Sequence, residues 1–284
     1  MTGASTKQRT VHRWTKAKDL EVREAIYDVL AEDHPASVRG VYYRVLSRGL
    51  FEKDENNYRK VQQRVLDMRR RGDLPYAWIT DGTRMRLKPR SWADVDDALF
   101  HTARTYRRNL WGDQGVHVEV WTEKDAMKGV LYEATAEWDV PLPIARGFSS
   151  ESFLYASAAE IASIGKPTYI YFFADYDQAG LDLVRQVEET LPRFAPDVPI
   201  TVVRAAVTEQ QIDDLELITR DPTAKDRRNG WTRCVEVDAV PPRVLRDLAR
   251  SCIESHVDQG QLAMTKRVEA EERSILSEII GGDA

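Results

Sequence analysis

Two apolar periodicities succeed one another along the chain, and the change from one to the other divides it. Residues 18–32 carry Leu20, Ile26, Val29 and Leu30 at helical spacing, which predicts a helix stopped by Pro35. Ser37 is placed to cap a second helix, VRGVYYRVLSRG, ending at Gly49. Asn56 or Asn57 is placed to cap a third, YRKVQQRVLDMRRRG, ending at Gly72. LPYAWIT and TRMRLK flank Asp81-Gly82 and read as a β-hairpin with a type I′ turn. Three helices and then a hairpin is the order of a winged helix-turn-helix, expected over 17–90, behind a basic tail at 1–16. A linker helix over 91–112, opened by Ser91 and Asp94, runs through DALFHTARTYRRNLW to a boundary at Gly112 and Gly115.

Beyond that boundary short apolar runs alternate with helical stretches. Strands are expected at 116–121, 168–174 and 200–207, with shorter ones at VPLPIAR and CVEVDAV. Helices are expected near 125–137, 151–163 and 180–191, and a loop over 221–232. The βαβα order predicts a doubly wound, mainly parallel sheet over 113–240. Pro241-Pro242 opens the helix VLRDLARSCIESH, and a last amphipathic helix carries Val268, Ile275, Leu276 and Ile279, so 241–284 reads as C-terminal helices. The fold class expected is therefore α/β, an N-terminal winged helix-turn-helix followed by a parallel-sheet domain.

Composition narrows the class. The 284 residues are 42% hydrophobic, enough for ordinary globular cores in one large or two smaller domains. Two cysteines, Cys234 and Cys252, make no disulfide framework and read as reduced thiols. No apolar run approaches the roughly 18 residues of a membrane span, and the basic N-terminus is followed by no hydrophobic segment. A cytoplasmic, nucleoid-associated protein is expected. The net charge of −5 conceals an asymmetry: residues 39–90 hold fourteen Lys or Arg against six Asp or Glu. A basic segment joined to an acidic body suits a chain that binds a polyanion with one part and a metal with the other. The third helix carries Arg59, Lys60, Arg64, Arg69, Arg70 and Arg71, and the hairpin Arg84, Arg86, Lys88 and Arg90. Such a helix can enter a major groove of duplex DNA while the hairpin touches phosphates.

The acidic chemistry lies at two strand ends. VHVEVWTEKD (116–125) stops at Glu123-Lys124-Asp125, and TYIYFFADYDQAG (168–180) stops at Asp175-Tyr176-Asp177. Buried parallel strands ending in carboxylates deliver them to the carboxyl edge of a sheet, where ligands bind in open α/β folds. Glu123, Asp175 and Asp177 can converge there on Mg²⁺ or Mn²⁺. Asp125, or Glu236 and Asp238 alternating along VEVDAV, could serve a second metal, although a solvated edge strand explains the latter two as well. Glu119 lies inside its strand and reads as structural.

These motifs resemble the Toprim domain of topoisomerases, primases and nucleases, with Glu123 matching its glutamate and Asp175 and Asp177 its Asp-x-Asp. Glu123-Lys124-Asp125-Ala126 and Asp175-x-Asp177-x-x-Gly180 look most like the topoisomerase VI A-subunit and meiotic double-strand-break family, in small stand-alone form. In that family a winged helix precedes the Toprim domain. The resemblance implies Mg²⁺-dependent cleavage of duplex DNA, a homodimer, and for strand passage a separate ATPase B-like subunit. It further implies a catalytic tyrosine, which aligns with Tyr43 in Val38-Arg39-Gly40-Val41-Tyr42-Tyr43-Arg44. Periodicity puts Tyr42 in the core with Val38, Val45 and Leu46, and Tyr43 about 100° round the helix, near Arg39 and exposed. A phenol beside a guanidinium could attack phosphate and leave a 5′-phosphotyrosyl bond, with Arg39 steadying the charge. The departure Gly147-Phe148-Ser149, where the family has a Gly-Tyr-Pro-like segment, and the compact length leave two alternatives. One is a Toprim nuclease that uses water, as in plasmid-defence systems with their own partner subunits. The other is a DNA-binding module without catalysis. His12, His34, His101, His117 and His256 show no zinc spacing, and no GxxxxGK[ST] loop is present.

Overall fold

The computed structural model describes residues 14–79, 89–146 and 150–281, without the side chains of residues 280 and 281. Its N-terminal part is three helices, α1 (Lys16–Glu32), α2 (Val38–Ser47) and α3 (Glu55–Arg71). They bury Ile26, Leu30, Val41, Val45, Val61 and Val65 in one core. Ser37 Oγ caps α2 by accepting from Gly40 N at 2.9 Å. The cap of α3 is Asp54, whose Oδ1 accepts from Asn57 N at 2.6 Å, rather than Asn56 or Asn57. A carboxylate two residues earlier adds charge to the same cap geometry and favours the longer helix. Gly72 closes α3 at φ 81°, a conformation that suits glycine.

The strand expected at LPYAWIT is not formed over its centre, where Tyr76–Trp78 make a 3₁₀ turn. Ile79 bridges Ala36 in parallel, and the ring of Trp78 stacks on His34 at 4.6 Å. Packing of Trp78 against Tyr27 of α1 and against His34 replaces strand pairing over this turn. The Asp81-Gly82 turn, with Arg84, Arg86 and Lys88, lies outside the described residues. The linker helix is shorter than its pattern implied. Helix α4 (Val95–Thr105) is capped by Asp94, and the chain beyond it leaves the helix at Tyr106. Tyr106 and Arg108 instead hold Glu272 of a later helix.

The second part is α/β. Strands β1 (His117–Thr122), β2 (Thr168–Phe173) and β3 (Ile200–Ala206) form a three-stranded, wholly parallel sheet in the order β1-β2-β3. Helices cover both faces. On one, α6 (Glu151–Ile164) and α7 (Gln178–Phe194) pack on Trp121, Ile170 and Phe172. On the other, α5 (Lys128–Glu137) and α10 (Pro242–Glu254) pack on Val118, Val120 and Phe173. Residues i and i+2 of each strand thus serve opposite layers from their neighbours, as the pleat requires.

Three sequence expectations change here. VPLPIAR is no strand, because Pro141 and Pro143 have no N–H to give a ladder. It runs along the free edge of β1 with their carbonyls accepting from Val120 N and Thr122 N, both at 3.1 Å. CVEVDAV is a pair of bridges, Cys234 with Arg220 and Val235 with Tyr176, running into a 3₁₀ turn at Val237–Ala239. The stretch 221–232 contains a short helix, α9 (Ala224–Arg228), opened by a capping box between Thr223 and Asp226. A short helix at α8 (Glu209–Asp214) precedes it, and α11 (Gln259–Gly281) ends the fold against α4. No helix among the described residues is long and apolar enough to cross a membrane.

Candidate metal centre

All three strands point the same way, so their carboxyl ends share one edge. Glu123 follows β1 and its N–H reaches Phe173 O at 3.4 Å. Asp175 and Asp177 follow β2, and Arg204 stands near the end of β3. The Asp-x-Asp turn is tight because α7 starts immediately behind it. A Cβ on Gly180 would meet the Asp175 carbonyl oxygen at 2.3 Å, so only glycine lets the helix approach. Asp177 caps α7, its Oδ1 accepting from Gly180 N at 2.8 Å.

The segment 234–238 is laid across this edge by the Tyr176–Val235 bridge, with Tyr176 N to Val235 O at 2.8 Å. That brings Val237 N to Asp175 Oδ1 at 2.8 Å. It also brings Glu236 and Asp238 to Lys124, whose Nζ lies 2.7 Å from Asp175 Oδ1, 3.0 Å from Asp238 Oδ2 and 3.6 Å from Glu236 Oε2. The three carboxylates hold Lys124 well above its usual range against the opposing effect of burial. The solvated edge strand is thus corrected: Asp238 is buried, Glu236 nearly so, and both are ion-paired.

Glu123 differs from its neighbours. Its Oε2 is buried and has no hydrogen-bond partner. Burial first, then the charges of Asp175 and Asp177, push its carboxyl up to about 7. Asp175 is also shifted upward by burial, against Lys124 and Val237 N. Arg204, half-buried, donates to Asp175 O at 2.8 Å and leaves its buried Nη2 unpartnered. Arg220 Nη2 pairs with Asp177 Oδ2 at 2.5 Å and is steadied by Asp226 at 3.3 Å.

The expected convergence of Glu123, Asp175 and Asp177 is therefore only partly built. They are electrostatically coupled, yet among the described residues no three His, Cys, Asp or Glu side chains stand arranged to hold a metal ion. The physical reason is that Lys124 and Arg220 already occupy Asp175 and Asp177. The chemistry of the donors still fits a hard divalent cation, because the orphaned Glu123 oxygen is a buried acceptor without a donor. Asp125 is not brought in; it pairs with Arg146 at 2.6 Å. Glu119 is structural, bound to His117 and Trp121.

Tyr43 is buried, 4% exposed, which corrects its expected exposure. Ile218 and Ala239, remote in the chain, pack against the core that holds Tyr43, and periodicity within one helix carries no sign of that cover. Its ring lies 4.9 Å from Lys53 Nζ, and burial with the nearby Glu236 carboxylate pushes its phenol well above the usual tyrosine range. Tyr43 lines a cleft of about 390 Å³ shared with Arg39, Lys53, Tyr58, Arg220 and Glu236. Arg39 donates to Glu236 Oε2 at 3.0 Å and lies over the Tyr58 ring. Tyr42 is core, as its periodicity required.

The basic face of α3 is partly spent on the fold. Arg64 binds Asp19, Lys60 lies over the Trp14 ring at 5.1 Å, and Arg69 over the Tyr76 ring at 4.4 Å. Arg59, Arg70 and Arg71 are exposed, with Arg59 near Glu55 at 3.6 Å and Arg71 near Asp73 at 3.5 Å. Arg90 is exposed too. Lys53, Lys124, Arg204 and Arg220 are the site residues that sequence reasoning passed over. Lys124 and Arg220 each pair with acids that are remote in the chain, and only Lys124, inside the Glu-Lys-Asp motif, carried any local signal. No family model, no curated protein and no solved structure matches the chain.

Proposed function

We propose that this chain binds duplex DNA and cleaves a phosphodiester in a reaction that depends on Mg²⁺ or Mn²⁺ at the Glu123 edge. The observation that carries the reading is the buried, partnerless Glu123 oxygen at the carboxyl edge of a parallel sheet, on a side chain whose carboxyl is raised by burial and by the charges of Asp175 and Asp177. Glu123, Asp175 and Asp177 are the residues that would hold the ion. When bound, the ion supplies charge neutralisation at the scissile phosphate. Lys124 and Arg220 orient Asp175 and Asp177, and Arg204 places positive charge behind them. Arg59, Arg70 and Arg71 on α3, with Arg90, are exposed cations that would meet a DNA backbone. The three capped helices and the Glu and Asp-x-Asp at one sheet edge support a winged-helix and Toprim-like architecture as part of the same proposal.

Water is the nucleophile that the surroundings of Tyr43 favour, because burial and Glu236 both oppose the phenolate. Attack by Tyr43 is the second reading, favoured by its place in the cleft beside Arg39, Lys53 and Arg220. Tyr43 belongs to the same chain as the acidic edge and is joined to it through Glu236 and Lys124, so a partner chain is not needed to supply it. A homodimer, an ATPase B-like subunit or a defence-system partner is a further part of the proposal, tested by the mass of the chain in solution and on DNA.

The deciding assay is cleavage of supercoiled plasmid with Mg²⁺ or Mn²⁺, stopped in SDS, with wild type, Glu123→Gln and Tyr43→Phe. Glu123→Gln should lower the rate by roughly two orders of magnitude, the upper scale for loss of a metal's supporting groups. Tyr43→Phe should cut and leave free ends. Protein bound to 5′ ends in wild type, with an inactive Tyr43→Phe, would replace water by Tyr43. Equal cutting by wild type and Glu123→Gln would defeat the metal reading.

A further inference from the structure

The acidic edge carries more carboxylates than one ion can use, and the structure divides them. Asp238 Oδ1 accepts from Ser37 Oγ at 2.6 Å, and its Oδ2 faces Lys124 Nζ at 3.0 Å. Glu236 Oε2 receives Arg39 Nη1 at 3.0 Å and lies 3.6 Å from Lys124 Nζ. Asp175 Oδ1 receives Lys124 Nζ at 2.7 Å and Val237 N at 2.8 Å. Both oxygens of Asp238 thus have a donor supplied by the chain, whereas Glu123 Oε2 has none. A carboxylate cluster deep in a fold needs positive charge among its members. Here a lysine on the loop after β1 supplies it, reaching two segments remote in sequence.

We infer that the Lys124 ammonium is a built-in cation standing where a second divalent ion would otherwise be held, so that the edge takes a single ion, at Glu123. Glu236 and Asp238 are then not ligands. They are clamps, tying the sheet edge to α2 through Arg39 and Ser37. Lys124 is a positioning residue: it holds Asp175 beside Glu123 and ties that residue to the wall of the Tyr43 cleft. This rests on the metal reading above and narrows it to one ion per chain. A lysine fits the place because its compact point charge and three N–H donors can meet carboxylates from three directions.

The test counts Mn²⁺ bound to the full chain, by calorimetry and by the free-ion electron paramagnetic resonance signal, with circular dichroism melts alongside. Wild type should bind one ion, Lys124→Arg one, and Lys124→Met two. Glu236→Gln and Asp238→Asn should still bind one, whereas Glu123→Gln should weaken that ion on the order of tenfold or more. Two ions in wild type, or one in a folded Lys124→Met, would overturn the inference while leaving the metal reading in place. No ion in wild type would overturn both. If Lys124→Met does not fold, Glu236→Gln and Asp238→Asn decide, since loss of the bound ion in either makes that residue a ligand and overturns the inference.

Discussion

Two glutamates four residues apart, one inside β1 and one just past its end, are treated in opposite ways. Glu119, in the middle of β1, has Trp121 Nε1 at 2.6 Å on one oxygen and His117 Nε2 at 3.0 Å on the other. Glu123, just past the strand's end, keeps a buried oxygen with no partner and is raised by burial and by the charges of Asp175 and Asp177. Both are largely removed from water. The difference is the supply of donors. An internal strand position is met by its own i ± 2 neighbours on the same face, whereas the end of a strand depends on whatever the fold brings across the edge. Burial alone does not mark a site of chemistry; burial without compensation does.

The comparison can be broken most directly through pH. The folded protein holds the Glu123 carboxyl up at about 7 from a reference of 4.5. The protonated form thus stabilises the fold fully below the reference value, and that contribution is lost as pH rises through about 7. Over this window, in chelator, wild type should lose about 3 kcal/mol, and Glu123→Gln should lack that slope. Asp175, shifted the same way, adds to the slope in both. Mn²⁺ should recover wild-type stability at high pH and should do less for the variant. Urea denaturation at pH 5, 6, 7 and 8 measures all of this, and a wild-type profile no steeper than that of Glu123→Gln would remove the contrast with Glu119.

The converse change is Glu119→Ala. It leaves the Trp121 indole N–H buried without an acceptor and should cost about 1–3 kcal/mol, with metal binding unaffected. Stabilisation by this change, or loss of Mn²⁺ binding, would mean that the strand interior and the strand end are not distinct. Gly180→Ala sharpens the comparison from the packing side. The added methyl meets the Asp175 carbonyl at 2.3 Å, so α7 must retreat, at a cost of about 1–3 kcal/mol. Mn²⁺ affinity should fall with stability here, as Asp175 and Asp177 move, and a variant with wild-type melting and affinity would contradict the tight turn.

Much of the fold was legible because it is local. Val38, Tyr42, Val45 and Leu46 share a face at helical spacing, and that face packs into the core, with Val38 half-buried at its start. Ser37, Asp94, Gly49 and Gly72 sit where helix ends need a cap or a left-handed residue. Failures came where two local signals competed or where pairing depended on distant chain. Asp54 displaced Asn56 and Asn57 as a cap, Pro141 and Pro143 turned an apparent strand into an edge cover, and aromatic packing took Trp78 out of the expected hairpin.

The site divides in the same manner. That Glu123, Asp175 and Asp177 end their strands follows from period and composition, and parallel strands then send them to a common edge. Which of them keep a free oxygen does not follow. That was decided by Lys124 meeting Asp238 from 114 positions away and Arg220 meeting Asp177 from 43, and by the burial of Tyr43 beneath chain far beyond α2. Strand ends and helix faces are properties of neighbours in the chain, whereas the charge balance of a buried cluster depends on which remote side chains the finished fold brings to it.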